Sequence, residues 1–163
     1  MPHPYKIVFF DRDGVINKRQ ADHRYITSVH EFIFNNNIFE VFKYFAKKNY
    51  KFIIITNQRA ISRGLLTEEK LHKIHDYMLS ELKKNHIEIL DIFFCPHGYD
   101  ECNCRKPMPG MLESAMKKYN IDLENSILIS DEMDDIRMGE NFKIGRNLLI
   151  KRDSPADILR VTI

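Results

Sequence analysis

The stretch Lys6-Ile7-Val8-Phe9-Phe10-Asp11-Arg12-Asp13-Gly14 decides how this chain is read. A strand with one wet face alternates apolar and polar residues, whereas an unbroken apolar run belongs to a strand covered on both faces, as in a parallel sheet. The pattern of a run stopped by a chemically active residue recurs along the chain. Phe52-Ile53-Ile54-Ile55 stops at Thr56, Leu90 to Phe94 stops at Cys95, and Ser126 to Ile129 leads into Ser130-Asp131. Leu148-Leu149-Ile150 is a fifth run. Stretches of helical period lie between them. Ile38 to Lys48 carries Ile38, Val41, Phe42 and Phe45 on one face, with Asn35 to Asn37 as cap candidates. Thr67 can cap a helix through Asn85, with Leu71, Ile74, Met78 and Leu82 inward and Lys83 and Lys84 at its negative end. Met111 to Tyr119 and Asp134 to Phe142 follow. This alternation predicts an α/β fold of three layers, a doubly wound parallel sheet with right-handed crossovers. Such sheets gather ligands at the carboxyl ends of their strands, which here carry Asp11, Thr56, Cys95 and Asp131. No gap between runs is long enough for a separate cap domain, so residues 1–163 read as one domain.

Charge narrows the partners. Lys plus Arg is 25 against 23 for Asp plus Glu, a net +2 that is too even for a protein living on nucleic acid or anionic lipid. No run approaches the roughly 20 apolar residues of a membrane span, and Met1-Pro2-His3-Pro4 lacks a signal-peptide core. The expectation is a cytoplasmic monomer with no nucleic-acid partner. All three cysteines, Cys95, Cys102 and Cys104, fall within ten residues, an odd cluster that argues for metal over disulfides.

Asp11 and Asp13 sit one residue apart after a buried strand, with Gly14 free to turn the chain. A plain Asp turn would also produce this pattern, but a calcium loop is excluded by Val15 and Ile16. Thr56-Asn57-Gln58 offers a hydroxyl and amides to phosphate oxygens, Arg105-Lys106 offers two cations, and Asp131 offers a carboxylate to a hard cation. Each piece alone is an ordinary loop. Their order at the ends of successive buried strands is not. The absence of a Gly-x-x-x-x-Gly-Lys loop removes a Walker-type nucleotide site. Cys95-Pro96-His97 and Cys102-Asn103-Cys104 supply three thiolates and an imidazole, a closed tetrahedral set for a structural Zn²⁺ that would set Arg105 and Lys106 in place. The plainer reading makes Cys95 a small apolar strand end. His72, His75 and His86, lacking acidic or cysteine partners at ligand spacing, read as solvent-facing helix residues.

Asp11-Arg12-Asp13-Gly14, Thr56, Lys106 and the Asp131-x-x-x-Asp135 pair resemble, in order, the four motifs of the haloacid dehalogenase superfamily of phosphotransferases. Ile16-Asn17, Asp22-His23-Arg24-Tyr25 and Asn57-Gln58-Arg59-Ala60-Ile61-Ser62-Arg63-Gly64 are similar to the D-glycero-D-manno-heptose 1,7-bisphosphate phosphatases; Cys104-Arg105-Lys106-Pro107 is shared with the histidinol-phosphate phosphatases. The resemblance implies a phosphatase of small sugars serving activated-heptose synthesis. Asp11 would be the nucleophile that becomes phosphorylated, and Asp13 the acid that protonates the departing alkoxide and then activates water. Mg²⁺ would be held by Asp11, the Asp13 carbonyl and Asp131, with Thr56 and Lys106 on the transferring phosphoryl. His23 and Tyr25 would meet the sugar, and Asn57, Gln58, Arg59, Arg105 and Glu132 complete the expected substrate side. The sequence departs from the family twice. Glu132 stands where Lys is usual after the metal-binding Asp, and Arg59 where a small residue is usual; these could offset one another or mark another substrate, histidinol phosphate included. A nucleic-acid 3′-phosphatase is disfavoured by charge, and a silent binding module by the intact catalytic set. The pocket should be closed by the Lys18 to Val29 loop, the segment after Asn57 and the cysteine loop.

Overall fold

The computed structural model describes residues 2–22 and 24–161. Five strands, β1 (Ile7–Phe10), β2 (Lys51–Asn57), β3 (Asp91–Cys95), β4 (Ile127–Ser130) and β5 (Arg146–Leu149), form one sheet in the order β3-β2-β1-β4-β5. Every pairing is parallel, and Val8 of β1 lies between Phe52 of β2 and Ile127 of β4. Helices α1 (Ile38–Ala46), α2 (Glu68–Lys84), α3 (Gly110–Lys118), α4 (Met133–Asn141) and α5 (Asp157–Val161) connect and cover it. The double apolar register of the strands is thereby explained. Val8 and Phe10, with Phe52 and Ile54, face a core shared with Phe42 of α1, Leu71 of α2 and Ile158 of α5. Ile7 and Phe9, with Ile53 and Ile55, face a second core shared with Leu112 of α3 and Ile136 of α4. Rings at the first core's centre fix its packing, Phe42 lying 4.5 Å from Phe10 and 5.0 Å from Phe52 between centroids. Truncating such a ring costs about 3–5 kcal/mol, so Phe42 is a pillar of this face.

Boundaries moved where edges or local turns decide them. β5 opens at Arg146 rather than Leu148, since an edge strand tolerates polar residues that a run of apolar letters does not reveal. The 3-10 turn Val29–Glu31 and helix α5 were not foreseen; both are too short for a helical period to register. Thr67 caps α2 by accepting from the Lys70 N–H, as its position demands. Asn37, by contrast, precedes α1 in the left-handed region and makes no side-chain cap. Neighbouring Asn35 is buried and donates instead to the Val15 carbonyl, at 3.0 Å.

The order in which the chain adds strands reverses between β1 and β4, and this is where a doubly wound fold opens its crevice. Asp11 continues β1 by donating its N–H to the Ile129 carbonyl at 3.0 Å, so the end of β1 is locked to β4 at that point.

Candidate active site

Asp11 is 6% exposed beneath the crevice. The Lys106 ammonium bridges it to Asp135, donating to Asp11 Oδ1 at 2.8 Å, to Asp135 Oδ2 at 2.6 Å and to the Ile55 carbonyl at 3.2 Å. One cation thus faces two buried carboxylates. Burial pushes the Asp11 carboxyl up to about 6, Lys106 opposing and the Asp135 and Asp13 charges adding to the rise. Oδ1 of Asp11 also accepts the Arg12 N–H at 2.9 Å, whereas Oδ2 has a long contact of 3.4 Å from the Ser130 hydroxyl. The less engaged oxygen is free for chemistry.

Asp13 is treated in the opposite way. Burial would raise it, but the Arg12 guanidinium, the Asn17 amide and Arg19 hold its carboxyl below the usual range. Its Oδ1 accepts from Arg12 Nε at 3.1 Å, Arg12 Nη2 at 2.9 Å and Asn17 Nδ2 at 2.9 Å. Its Oδ2 takes one contact, from Gln58 Nε2 at 3.3 Å. The same Gln58 amide donates to the Thr56 hydroxyl at 2.8 Å, so Gln58 is a buried brace between two catalytic candidates and not a wall of the cleft. Asn57 lines the cleft, yet its amide is engaged with the backbone of Lys106, accepting at 3.0 Å and donating at 3.3 Å. That pair ties the end of β2 to the lysine loop.

The donors expected for Mg²⁺ converge around Gly14. Gly14 has φ +91°, and a Cβ there would strike the Asp131 carboxylate, so glycine is required both by conformation and by the close approach of Asp131. Asp131 Oδ1 is buried with no hydrogen-bond partner among the described residues. Burial, then the Asp11 charge, raises the Asp131 carboxyl, with Arg152 and Arg19 opposing. Arg19 Nε lies 3.4 Å from both Asp131 Oδ2 and the Asp13 carbonyl. A guanidinium over these two oxygens and an orphaned carboxylate oxygen beside them are what a cation-seeking, all-oxygen donor set presents, and the residues fit Mg²⁺.

Cys95, His97, Cys102 and Cys104 also converge, their donor atoms all within 4.8 Å of one another. Cys95 Sγ lies 3.5 Å from His97 Nδ1 and from Cys102 Sγ, and Cys104 Sγ lies 3.0 Å from Cys95 Sγ and 3.3 Å from His97 Nδ1. A tetrahedron of thiolates around Zn²⁺ has edges of about 3.8 Å, given Zn–S bonds near 2.3 Å. The loop therefore closes on a space of metal size.

Above these groups lies an open cleft of about 1340 Å³. Its walls include Arg19 to Asp22 and Arg24 to Ile26 of the first loop, Arg59 and Arg63 after β2, Tyr99 and Arg105 of the cysteine loop, and Arg152 and Asp153 after β5. Tyr25 is among them with the Arg63 guanidinium 5.8 Å from its ring; His23 lies outside the described residues. Glu132 is paired with Arg19 at 2.6 Å and Arg152 at 3.1 Å, so its charge is matched by these two and not by Arg59. Arg59 and Arg105 instead both stack on Tyr99, each 4.4 Å from the ring. Arg59 Nε and Arg105 Nη1 are buried without a hydrogen-bond partner among the described residues. Arg12, Asn17, Arg19, Tyr99 and Arg152 were not singled out from the sequence. Arg12 and Asn17 stood inside the motif region, whereas Arg19 and Arg152 acquire meaning only when the loops after β1 and β5 meet.

Known proteins match this arrangement. The family model described as polynucleotide kinase 3 phosphatase matches residues 6–144. The D-glycero-alpha-D-manno-heptose-1,7-bisphosphate 7-phosphatase of Campylobacter jejuni is 42% identical, over 91% of this chain and 84% of that protein. The D-glycero-beta-D-manno-heptose-1,7-bisphosphate 7-phosphatase of Vibrio cholerae is 35% identical, over 91% of this chain and 82% of that protein. The crystal structure of D,D-heptose 1.7-bisphosphate phosphatase from B. bronchiseptica, complexed with magnesium and phosphate, superposes with a TM-score of 0.82 at 28% identity, covering 96% of this chain and 86% of that one. The chain belongs to the haloacid dehalogenase superfamily of phosphatases. Within it, the chain belongs to the family of the heptose-1,7-bisphosphate 7-phosphatases.

Proposed function

We propose that this protein is a Mg²⁺-dependent phosphomonoester hydrolase that removes the 7-phosphate of D-glycero-D-manno-heptose 1,7-bisphosphate through a phosphorylated Asp11. The observation that carries the reading is the division of the cleft. An acidic floor of Asp11, Asp13 and Asp135 suits the reacting phosphoryl end. Arg59 and Arg105 on the β2–β3 side hold buried N–H groups with no acceptor, and a second phosphate would satisfy them. Asp11 attacks phosphorus through its less engaged oxygen as the P–O bond to the sugar breaks. Asp13, ionised at rest, takes up the proton of the substrate's phosphate monoanion and passes it, through Oδ2, to the departing alkoxide. Water then passes a proton to the same oxygen while attacking the acyl phosphate. The bond to Asp11 breaks, phosphate leaves with that proton, and Asp13 is ionised again. Asp11, the Asp13 carbonyl and Asp131 would hold Mg²⁺, which would let anion meet anion and offset charge on the transferring oxygens. Lys106 keeps Asp11 oriented, and the Thr56 hydroxyl, which accepts from Gln58, would donate to a phosphoryl oxygen. Tyr25, in the cleft wall, would meet the sugar. Cys95, His97, Cys102 and Cys104 hold a structural Zn²⁺.

The test is phosphate release, with Mg²⁺, from both anomers of heptose bisphosphate, histidinol phosphate and a 3′-phosphorylated oligonucleotide. Heptose bisphosphate should be the best substrate, and Asp11→Asn should lose turnover while folding normally, because the amide is isosteric but cannot attack. A preference for the oligonucleotide or histidinol phosphate would overturn the substrate assignment, and an active Asp11→Asn would overturn the intermediate.

A further inference from the structure

Arg12 is fully buried, directly between the two catalytic aspartates in sequence. A buried guanidinium is costly unless all sides are engaged. Two of its nitrogens fork onto Asp13 Oδ1, and the Phe32 ring lies 5.8 Å from its centre. The third, Nη1, lies 3.1 Å from Nε2 of His75, which is 4% exposed on α2 and packed near the edge of Phe94. Since guanidinium nitrogens only donate, Nε2 must be the accepting nitrogen of a neutral imidazole. Burial, then the Arg12 charge, lowers the His75 imidazole to about 3, in keeping with that role.

We propose that His75 is a positioning residue for phosphoryl transfer: it holds Arg12 from α2, and Arg12 anchors one oxygen of Asp13 so that the other is aimed at the proton it transfers. The geometry separates the two oxygens. Oδ1 takes three donated hydrogen bonds and is fixed, whereas Oδ2 takes a single long one and remains available. Without the Nε2 acceptor, Nη1 loses its partner and the fork can tilt, which moves Oδ2 away from the leaving oxygen. A misplacement of about 1 Å is enough to cost roughly a hundredfold in such a transfer.

The inference rests on Asp13 as the proton donor, and the experiment separates the two. kcat/KM, which reports steps through leaving-group departure, is measured with Mg²⁺ on heptose bisphosphate, whose alkoxide needs a proton, and on 4-nitrophenyl phosphate, whose phenolate does not. His75→Leu should lose about tenfold or more on the sugar and less than about twofold on the aryl ester, while His75→Gln, which keeps an acceptor near Nε2, should recover most of the loss. Should His75→Leu fail to fold, His75→Asn, whose amide falls short of Arg12, makes the same comparison. Equal loss on both esters, no loss, or no recovery in His75→Gln, with the split present in Asp13→Asn, overturns the role of His75. A split missing from Asp13→Asn as well overturns Asp13 as the acid.

Discussion

At the scale of residues, the buried His75 ties stability to acidity independently of turnover. Its folded imidazole titrates near 3 because burial and Arg12 disfavour the cation, while an unfolded histidine titrates near 6.5. Below about pH 6.5 the unfolded chain gains a proton that the folded one refuses. The stability contributed by neutral His75 is therefore complete above that pH and is lost progressively as pH falls toward 3. The slope reaches about 1.4 kcal/mol per pH unit for one proton. His75→Gln removes this proton, so urea midpoints measured between pH 6 and pH 4 should fall less steeply than in wild type. Parallel curves would mean that His75 takes up its proton in the folded state. Asp11, Asp13, Thr56 and Lys106 could be recognised from the chain because each follows a strand or a motif whose local pattern announces it. His75 could not. It sits among polar letters on an exposed-looking helix, and its burial depends on α2 crossing the loop after β1, a contact 63 residues distant in the chain. His86 was also misjudged as helical. It lies past the end of α2 with φ 62°.

Among elements, the cysteine loop has the least backbone structure of its own and the most to hold. It follows edge strand β3, carries Tyr99 beneath two arginines, and hands the chain to Lys106, whose N–H donates to Asn57 Oδ1 at 3.0 Å. Zinc binding in such a loop is folding energy. Cys102→Ser should bind no zinc by metal analysis and melt at least about 5 °C lower, at roughly 2–4 °C for each kcal/mol lost in a chain of this size. KM for the bisphosphate should rise with it, because Tyr99 and Arg105 ride on the loop. A zinc-free wild-type protein with an unchanged melting temperature would refute the assignment. The central strands and long helices were legible because burial on both faces, or along one stripe, writes a period into the sequence. β5 was only partly so, since Arg146 and Asn147 occupy an edge where no second neighbour demands apolar side chains.

For the whole molecule, the near-neutral total charge conceals a polarised cleft. Glu132 and Asp131 are matched by Arg19 and Arg152 on the β4–β5 side, whereas Arg59 and Arg105, across from them, each keep a buried N–H with no hydrogen-bond partner among the described residues. The arginines beside Asp131 and Glu132 come from the distant loops after β1 and β5, a meeting that sequence order could not reveal. Arg59→Ser should lower kcat/KM for heptose bisphosphate by about tenfold to a hundredfold and leave a monophosphate nearly untouched, as expected for one charge-assisted contact. Equal loss on both would make Arg59 an ordinary surface arginine. The sheet order has a consequence in time. β1, the first strand of this sheet to leave the ribosome, belongs in its middle, and its partner Ile127 is synthesised 119 residues after Val8. A nascent Ile-Val-Phe-Phe segment can pair with β2 early but must keep its other edge open until β4 arrives. That interval, lengthened by the slow closure of distant contacts, is when the chain most needs a chaperone.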